Sequence, residues 1–107
     1  INIVDNARHP SHPLLVYGVT KGALLTLTEG LAKTLAPEVL VTAVCPGLVL
    51  SPERLSAATR RRLARTIPVK RWGTPKDVAD MAVFLAESDF ITGSSHVVDG
   101  GEMLLRG

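Results

Sequence analysis

One cysteine, one tyrosine and one tryptophan stand among 107 residues, and long apolar runs are missing altogether. A lone Cys45 excludes an internal disulfide, and the simplest setting for such a chain is a reducing, cytoplasmic one. No stretch approaches the ~20 apolar residues of a membrane span, and no signal-peptide pattern opens the chain. Neither sign of charge dominates, since 12 basic and 10 acidic residues leave a formal net charge of +2. That balance gives no electrostatic footprint for nucleic acid or an anionic membrane, so neither partner is expected. Also lacking is a glycine-rich turn leading from a strand into a helix, the usual cradle for a ligand's phosphates.

What is present reads as globular, with 46% hydrophobic and 21% charged residues. The length admits one domain at most, with little surplus stability. Three short apolar segments rich in Val or Ile read as buried strands: Ile1–Val4, Val39–Val44 and His96–Val98. The first begins at the chain's first residue, where a free ammonium in a buried strand would be desolvated. A piece of a larger domain is therefore expected. Between the strands lie helical patterns. Leu24, Leu27, Leu31 and Leu35 make one apolar stripe, Leu25 and Ala32 extend it sideways, and Pro37 stops the helix near Ala36. Thr74-Pro75-Lys76-Asp77 supplies an N-cap, a proline at the first helical position and an acid three residues after the cap. Val78, Met81, Ala82 and Leu85 then form a buried stripe. Between Pro46 and Trp72 the weakly amphipathic stretch Leu55–Arg65 suits a mobile cover over a site. Alternating strands and helices imply parallel pairing, and nearly continuous apolar strands imply a sheet covered on both faces. The predicted class is α/β: the C-terminal half of a doubly wound, Rossmann-like parallel sheet, with three strands and about three helices.

The sharpest chemical feature is Tyr17-Gly18-Val19-Thr20-Lys21. Positions i and i+4 share one face of a helix, so the phenol and the ammonium project the same way. A free tyrosine, with a pKa near ~10, is a poor acid or base at neutral pH. A lysine cation ~4 Å away at an effective dielectric of ~20 is worth about 4 kcal/mol, which carries the phenol toward ~7. There it can exchange a proton with a carbonyl or imine under neutral conditions. The lysine's three donors suit a ribose hydroxyl as well. Alone, this spacing is weak, and an exposed tyrosine beside a solvated lysine is the bland reading. Its company raises the odds, because polar Asp5 and the Cys45-Pro46-Gly47 turn both end strands, where open α/β sheets place ligands.

Together with Leu35-Ala36-Pro37-Glu38, Val44-Cys45-Pro46-Gly47, Arg71-Trp72-Gly73-Thr74-Pro75-Lys76-Asp77-Val78-Ala79, and Ile91-Thr92-Gly93 through Val98-Asp99-Gly100-Gly101, the Tyr17–Lys21 block resembles the C-terminal half of the short-chain dehydrogenase/reductase family over essentially the whole chain. The resemblance implies NAD(P)H-dependent hydride transfer, with Tyr17 as proton donor and Lys21 holding the nicotinamide ribose. It also implies that the Pro46–Ser51 loop covers the nicotinamide, so that Pro46, Gly47, Val49 and Ser51 bind the cofactor. The Val49 backbone and the Ser51 hydroxyl would meet the carboxamide. The family's usual serine falls thirteen residues before the tyrosine, where this sequence has Val4. Asp5 stands twelve before it, a departure that resembles the pteridine reductase and dihydromonapterin reductase branch. That branch implies a catalytic Asp5, NADP(H) rather than NAD(H), and a pterin substrate. A carboxylate also suits the amino and ring N–H donors of a pterin. The spacing, one residue short, requires a deletion to be absorbed between Asn6 and Val16.

Rival expectations are a carbonyl or 3-oxoacyl reductase of the same family, a non-catalytic Rossmann-like binding protein, and an inactive truncated product. By resemblance the full-length protein is a homo-oligomer, a dimer or tetramer, and the extra apolar side of the Leu24–Leu35 helix is compatible. His9 and His12 read as exposed loop histidines without further ligands, so no metal is expected. Cys45 reads as a small buried hydrophobe, and Trp72 as a packing anchor. Arg60, Arg61, Arg62 and Arg65 read as a solvated helix face, and Gly93, Gly100 and Gly101 as turn devices.

Overall fold

Three strands lie side by side in chain order and run parallel: β1 (Asn2–Ile3), β2 (Ala43–Pro46) and β3 (Ser95–Val98). The computed structural model describes residues 1–5 and 12–105. Helix α1 (Leu15–Leu35) follows a 3-10 turn at His12–Leu14, α2 (Ala57–Thr66) and α3 (Pro75–Glu87) separate β2 from β3, and a second 3-10 turn (Glu102–Leu105) follows β3. Ladder register places Ile3 opposite Val44, and Pro46 opposite Val98. Among the described residues, no helix is long and apolar enough to cross a membrane.

The central strand begins later than its hydrophobicity suggests. Val39–Val44 was the expected span, but the ladder occupies Ala43–Pro46. Val41 instead pairs with the segment before β3: its N–H donates to Thr92 Oγ1 (3.0 Å) and its carbonyl accepts the Gly93 N–H (2.7 Å). Pro46, which reads as a stop signal, takes the last ladder position, and the next donor, Gly47 N–H, reaches the Val98 carbonyl at 3.0 Å. Cover on both faces holds for β2, where Ala43 and Val44 are 0% exposed, but not for the flanking strands. Ile3 and Val97 present apolar side chains to solvent.

Helix α1 is turned relative to its leucine stripe. Its buried residues are Thr28 and Ala32, and Leu24 and Leu25 pack on the cluster of Val4, Ala43 and Cys45. Leu27 is 51% exposed. A polar residue wins the inner position because its hydroxyl is satisfied there. Thr28 Oγ1 accepts from Asn2 Nδ2 (2.9 Å) and donates to the Leu24 carbonyl (2.8 Å). Ala32 keeps the contact line thin, so that even a methyl group placed at Gly93, a residue at φ +75°, would meet the Ala32 methyl only at ordinary contact distance, 3.5 Å. The helix ends at Leu35, just before Ala36-Pro37.

Helix α3 follows its local signals. The Thr74 hydroxyl accepts the Asp77 N–H (3.3 Å), and the Asp77 carboxylate accepts the Thr74 N–H (2.7 Å), which closes the capping box. Arg71 grips the same carboxylate with two contacts of 2.8 Å. Leu85 is buried, Val78, Met81 and Ala82 are half-buried, and the helix packs on β2 and β3. Replacing Thr74 by Ala is expected to cost about 1 kcal/mol in denaturant unfolding, the usual loss for an N-cap. Arg71, then the Thr74 backbone and side-chain hydrogen bonds, hold the Asp77 carboxyl well below its ordinary range. Its stabilisation is therefore present above the ordinary carboxylate pKa near ~4 and is lost as pH falls through the lower native value. Asp77→Asn should flatten that acid limb in pH-dependent melts, and an unchanged limb would refute the assignment.

Candidate active site

Parallel pairing brings the C-terminal ends of β1 and β2 to one edge of the sheet, and α1 starts above it. Asp5 follows β1, and its Oδ2 accepts the Tyr17 O–H at 2.5 Å. The one-residue shortfall in spacing does not keep these groups apart. Residues 6–11 of the connection, His9 among them, lie outside the described residues. Lys21 shares the Tyr17 face one turn on, with Nζ 5.6 Å from the phenol ring centroid. That ammonium donates to the Ile3 carbonyl at 3.3 Å, so it is tied to the end of β1 rather than to the phenol oxygen.

The electrostatic result reverses the sequence expectation. Tyr17 was expected to titrate lower because of Lys21, yet its pKa is pushed up to about 12. The hydrogen bond to Asp5 is the main cause, followed by partial burial and by the charge of Asp5. A carboxylate that accepts the phenol proton at 2.5 Å outweighs an ammonium standing 5.6 Å from the ring. Tyr17 is thus a protonated phenol at neutral pH, and it gives up its proton less readily than a free tyrosine while Asp5 holds it.

An open cleft of about 440 Å³ lies against this pair, bounded by Asp5, Tyr17, Pro46, Gly47, Val49 and Pro75. Of the residues expected at a cofactor, the structure gathers Tyr17, Pro46, Gly47 and Val49 on this cleft. Lys21 and Ser51 do not line it: the Lys21 ammonium is held by the Ile3 carbonyl, and the Ser51 hydroxyl points to the Pro52 carbonyl at 3.5 Å. The loop's backbone is held from outside. Leu48 N–H donates to Glu102 Oε2 (3.1 Å), the Leu48 carbonyl accepts the Gly73 N–H (2.9 Å), and the Val49 carbonyl accepts the Trp72 indole N–H (2.9 Å). Trp72 is buried as expected, but it also makes this polar contact, and the Arg60 guanidinium stands 5.4 Å over its ring. Arg60 is therefore not merely solvated, whereas Arg61, Arg62 and Arg65 are exposed on α2, a helix with no buried residue. Cys45 is buried. Glu102 carried no motif that singled it out; its only sequence signal is its place after Gly100-Gly101, both at positive φ.

A parallel α/β sheet with a tyrosine–lysine helix and a cleft at its C-terminal edge defines a Rossmann-like domain with a ligand site in the usual place for that class. The family model described as Enoyl-(Acyl carrier protein) reductase matches residues 4–102. The chain belongs to the short-chain dehydrogenase/reductase family. It is 38% identical over 90 residues to dihydromonapterin reductase of Citrobacter koseri, covering 84% of this chain and 38% of that protein. It is 40% identical over 91 residues to carbonyl reductase family member 4 of Danio rerio, covering 84% of this chain and 38% of the relative. Among solved structures, FolM alternative dihydrofolate reductase 1 from Brucella suis in complex with NADP superposes with a TM-score of 0.85 at 30% identity, over 96% of this chain and 42% of that one. The chain thus spans well under half the length of the relatives it matches.

Tyr17 is the single tyrosine, so tyrosinate absorbance reports it alone. Its midpoint should lie at about 12 in the wild type and fall toward the ordinary ~10 in Asp5→Ala, with circular dichroism confirming that the fold persists across the titration. A folded wild-type protein titrating at the ordinary value would refute the Asp5–Tyr17 pairing.

Proposed function

We propose that this chain is the catalytic half of an NADP(H)-dependent reductase acting on the C=N bond of a reduced pterin. The observation that carries the reading is the Asp5–Tyr17 hydrogen bond at the cleft. It places an acceptor for amino and ring N–H groups beside the one phenol able to give a proton. The names of two relatives, a dihydromonapterin reductase and an alternative dihydrofolate reductase, support the pterin class, and the NADP complex of the latter supports the cofactor. The relatives' remaining length is where this reading places the grip on the cofactor's phosphates.

The residues present suit the nicotinamide end of such a cofactor. Lys21 has three donors, and its Nζ is anchored by the Ile3 carbonyl at 3.3 Å, which leaves donors for a ribose hydroxyl. Pro46, Gly47 and Val49 offer an apolar wall for a flat ring. When bound, the nicotinamide supplies the hydride that reduces the carbon of the C=N bond. Tyr17 gives its O–H proton to the nitrogen. Asp5 orients that O–H and disfavours a lasting phenolate beside its own charge, so the proton lost by Tyr17 is promptly replaced from solvent. The exposed apolar side of α1, with Val16, Val19 and Leu27, suits the homodimer or homotetramer that the reading includes.

The second reading, a carbonyl reductase, is favoured by the 40% identity to carbonyl reductase family member 4. Turnover of dihydropterins against ketones, measured on the whole protein with NADPH, separates the two. Tyr17→Phe should lower turnover at least ~100-fold, the scale of a lost general acid, while NADPH binding persists. Asp5→Ala should lower kcat/KM for pterins more than for ketones. Equal losses on both substrates would sink the pterin assignment, and NADPH binding without turnover of either would favour a non-catalytic role.

A further inference from the structure

The loop after β2 rests on a buried carboxylate that the chemistry above does not use. Glu102 opens the 3-10 turn after β3 and is 8% exposed. Its Oε2 accepts the Leu48 N–H at 3.1 Å, and a methyl group at Gly47 would lie 2.8 Å from that same oxygen. The carboxylate oxygen therefore sits close against the Gly47–Leu48 peptide, an approach that glycine permits and a side chain would block. Its mount is rigid. The Asp99 carboxylate accepts the Gly101 and Met103 N–H groups at 2.7 Å each, and Gly100 and Gly101 turn the chain back at positive φ. Asp99 and Glu102 together fill the space that a side chain at Gly47 would need.

From the other side, Gly73 and Trp72 take the Leu48 and Val49 carbonyls. Both polar groups of Leu48 and the carbonyl of Val49 are thereby fixed by elements that lie beyond the loop in sequence. Val49 itself lines the cleft beside Asp5 and Tyr17. Peptide direction at Gly47–Val49 is thus set by the scaffold before any ligand arrives. A site whose amides are pre-oriented loses less entropy on binding.

We infer that Glu102 is a positioning residue for the nicotinamide end of the cofactor, acting through the Gly47–Val49 backbone. The inference rests on the reading of residues 46–51 as the cofactor cover. Glutamine at this position keeps an acceptor for the Leu48 N–H, and alanine removes it.

The test uses the whole protein with NADPH as the probe. Glu102→Ala should weaken NADPH binding about tenfold or more, the scale of losing a hydrogen bond to a charged group, with kcat at saturating NADPH changing far less. Glu102→Gln should restore most of that affinity. Trp72 is the single tryptophan and gives a readout independent of turnover. Emission from cofactor-free Glu102→Ala should shift to the red as the Val49 carbonyl loosens from the indole, while Glu102→Gln matches the wild type. The Tyr17 midpoint should stay at about 12 in both variants. Wild-type NADPH affinity and emission in Glu102→Ala would overturn the inference, as would equal losses in the Ala and Gln variants. If the wild-type protein itself takes up no NADPH, the cofactor reading falls and this inference falls with it, an outcome told apart from the others by the wild type alone.

Discussion

The packing of β2 between its neighbours sets the position of every group at the cleft. Ala43 and Val44 have no exposed surface. Hydrogen bonds tie the strand on both sides, from Val4 N–H to the Val44 carbonyl (2.8 Å) and from Gly47 N–H to the Val98 carbonyl (3.0 Å). Because the pairing is parallel, the ends that leave the sheet all fall on one edge. Asp5 and the Pro46–Ser51 loop, distant in sequence, are delivered there together. Leu24 and Leu25 seat α1 on Val4, Ala43 and Cys45 of the same layer, and this seating fixes how far Tyr17 and Lys21 stand above the edge. A shift in the packing of β2 would therefore disturb the acid, its partner and the loop together.

Within that frame, the character of Tyr17 is decided by a contest between two charges. Lys21 favours the phenolate and Asp5 favours the phenol, and distance decides. Asp5 accepts the phenol proton directly at 2.5 Å, whereas Lys21 Nζ is 5.6 Å from the ring centroid and engaged with the Ile3 carbonyl. Electrostatic coupling weakens with separation, and the half-buried lysine is partly screened by solvent as well. The i, i+4 spacing correctly places the two side chains on one face, but a shared face is not a hydrogen bond.

The same distinction explains which parts of the molecule were legible in the sequence. The α3 capping box was legible because Thr74 and Asp77 need only each other and a helical backbone. The end of α1 was legible because Pro37 acts on its own turn. The α1 face was not, since choosing Thr28 over Leu27 requires the Asn2 side chain, 26 residues away. The start of β2 was displaced because Val41 found Thr92 and Gly93 as partners outside the ladder. Glu102 was invisible for the same reason, with its contact 54 residues away at Leu48. The motif blocks identified the family and most of the cleft, while the direction of the Tyr17 shift and the support of the loop depended on contacts that no local pattern encodes.

On the proposed reading, the Asp5–Tyr17 pair also supplies a physical basis for substrate choice. While Asp5 alone accepts the Tyr17 proton, that proton is poorly available to a substrate. A ligand that brings N–H donors to the Asp5 carboxylate competes for the same acceptor and weakens its hold on the phenol. The Tyr17 O–H is then freed to turn toward the ligand's own acceptor nitrogen. A pterin carries both kinds of group on one rigid frame, so binding and release of the proton are coupled in one ligand. A simple ketone has an acceptor oxygen but no donor for Asp5, and it must draw the proton from Tyr17 against the full strength of the existing bond. Selectivity would then arise without a shaped pocket wall, from a carboxylate that holds the acid in reserve until the matching donor pattern arrives.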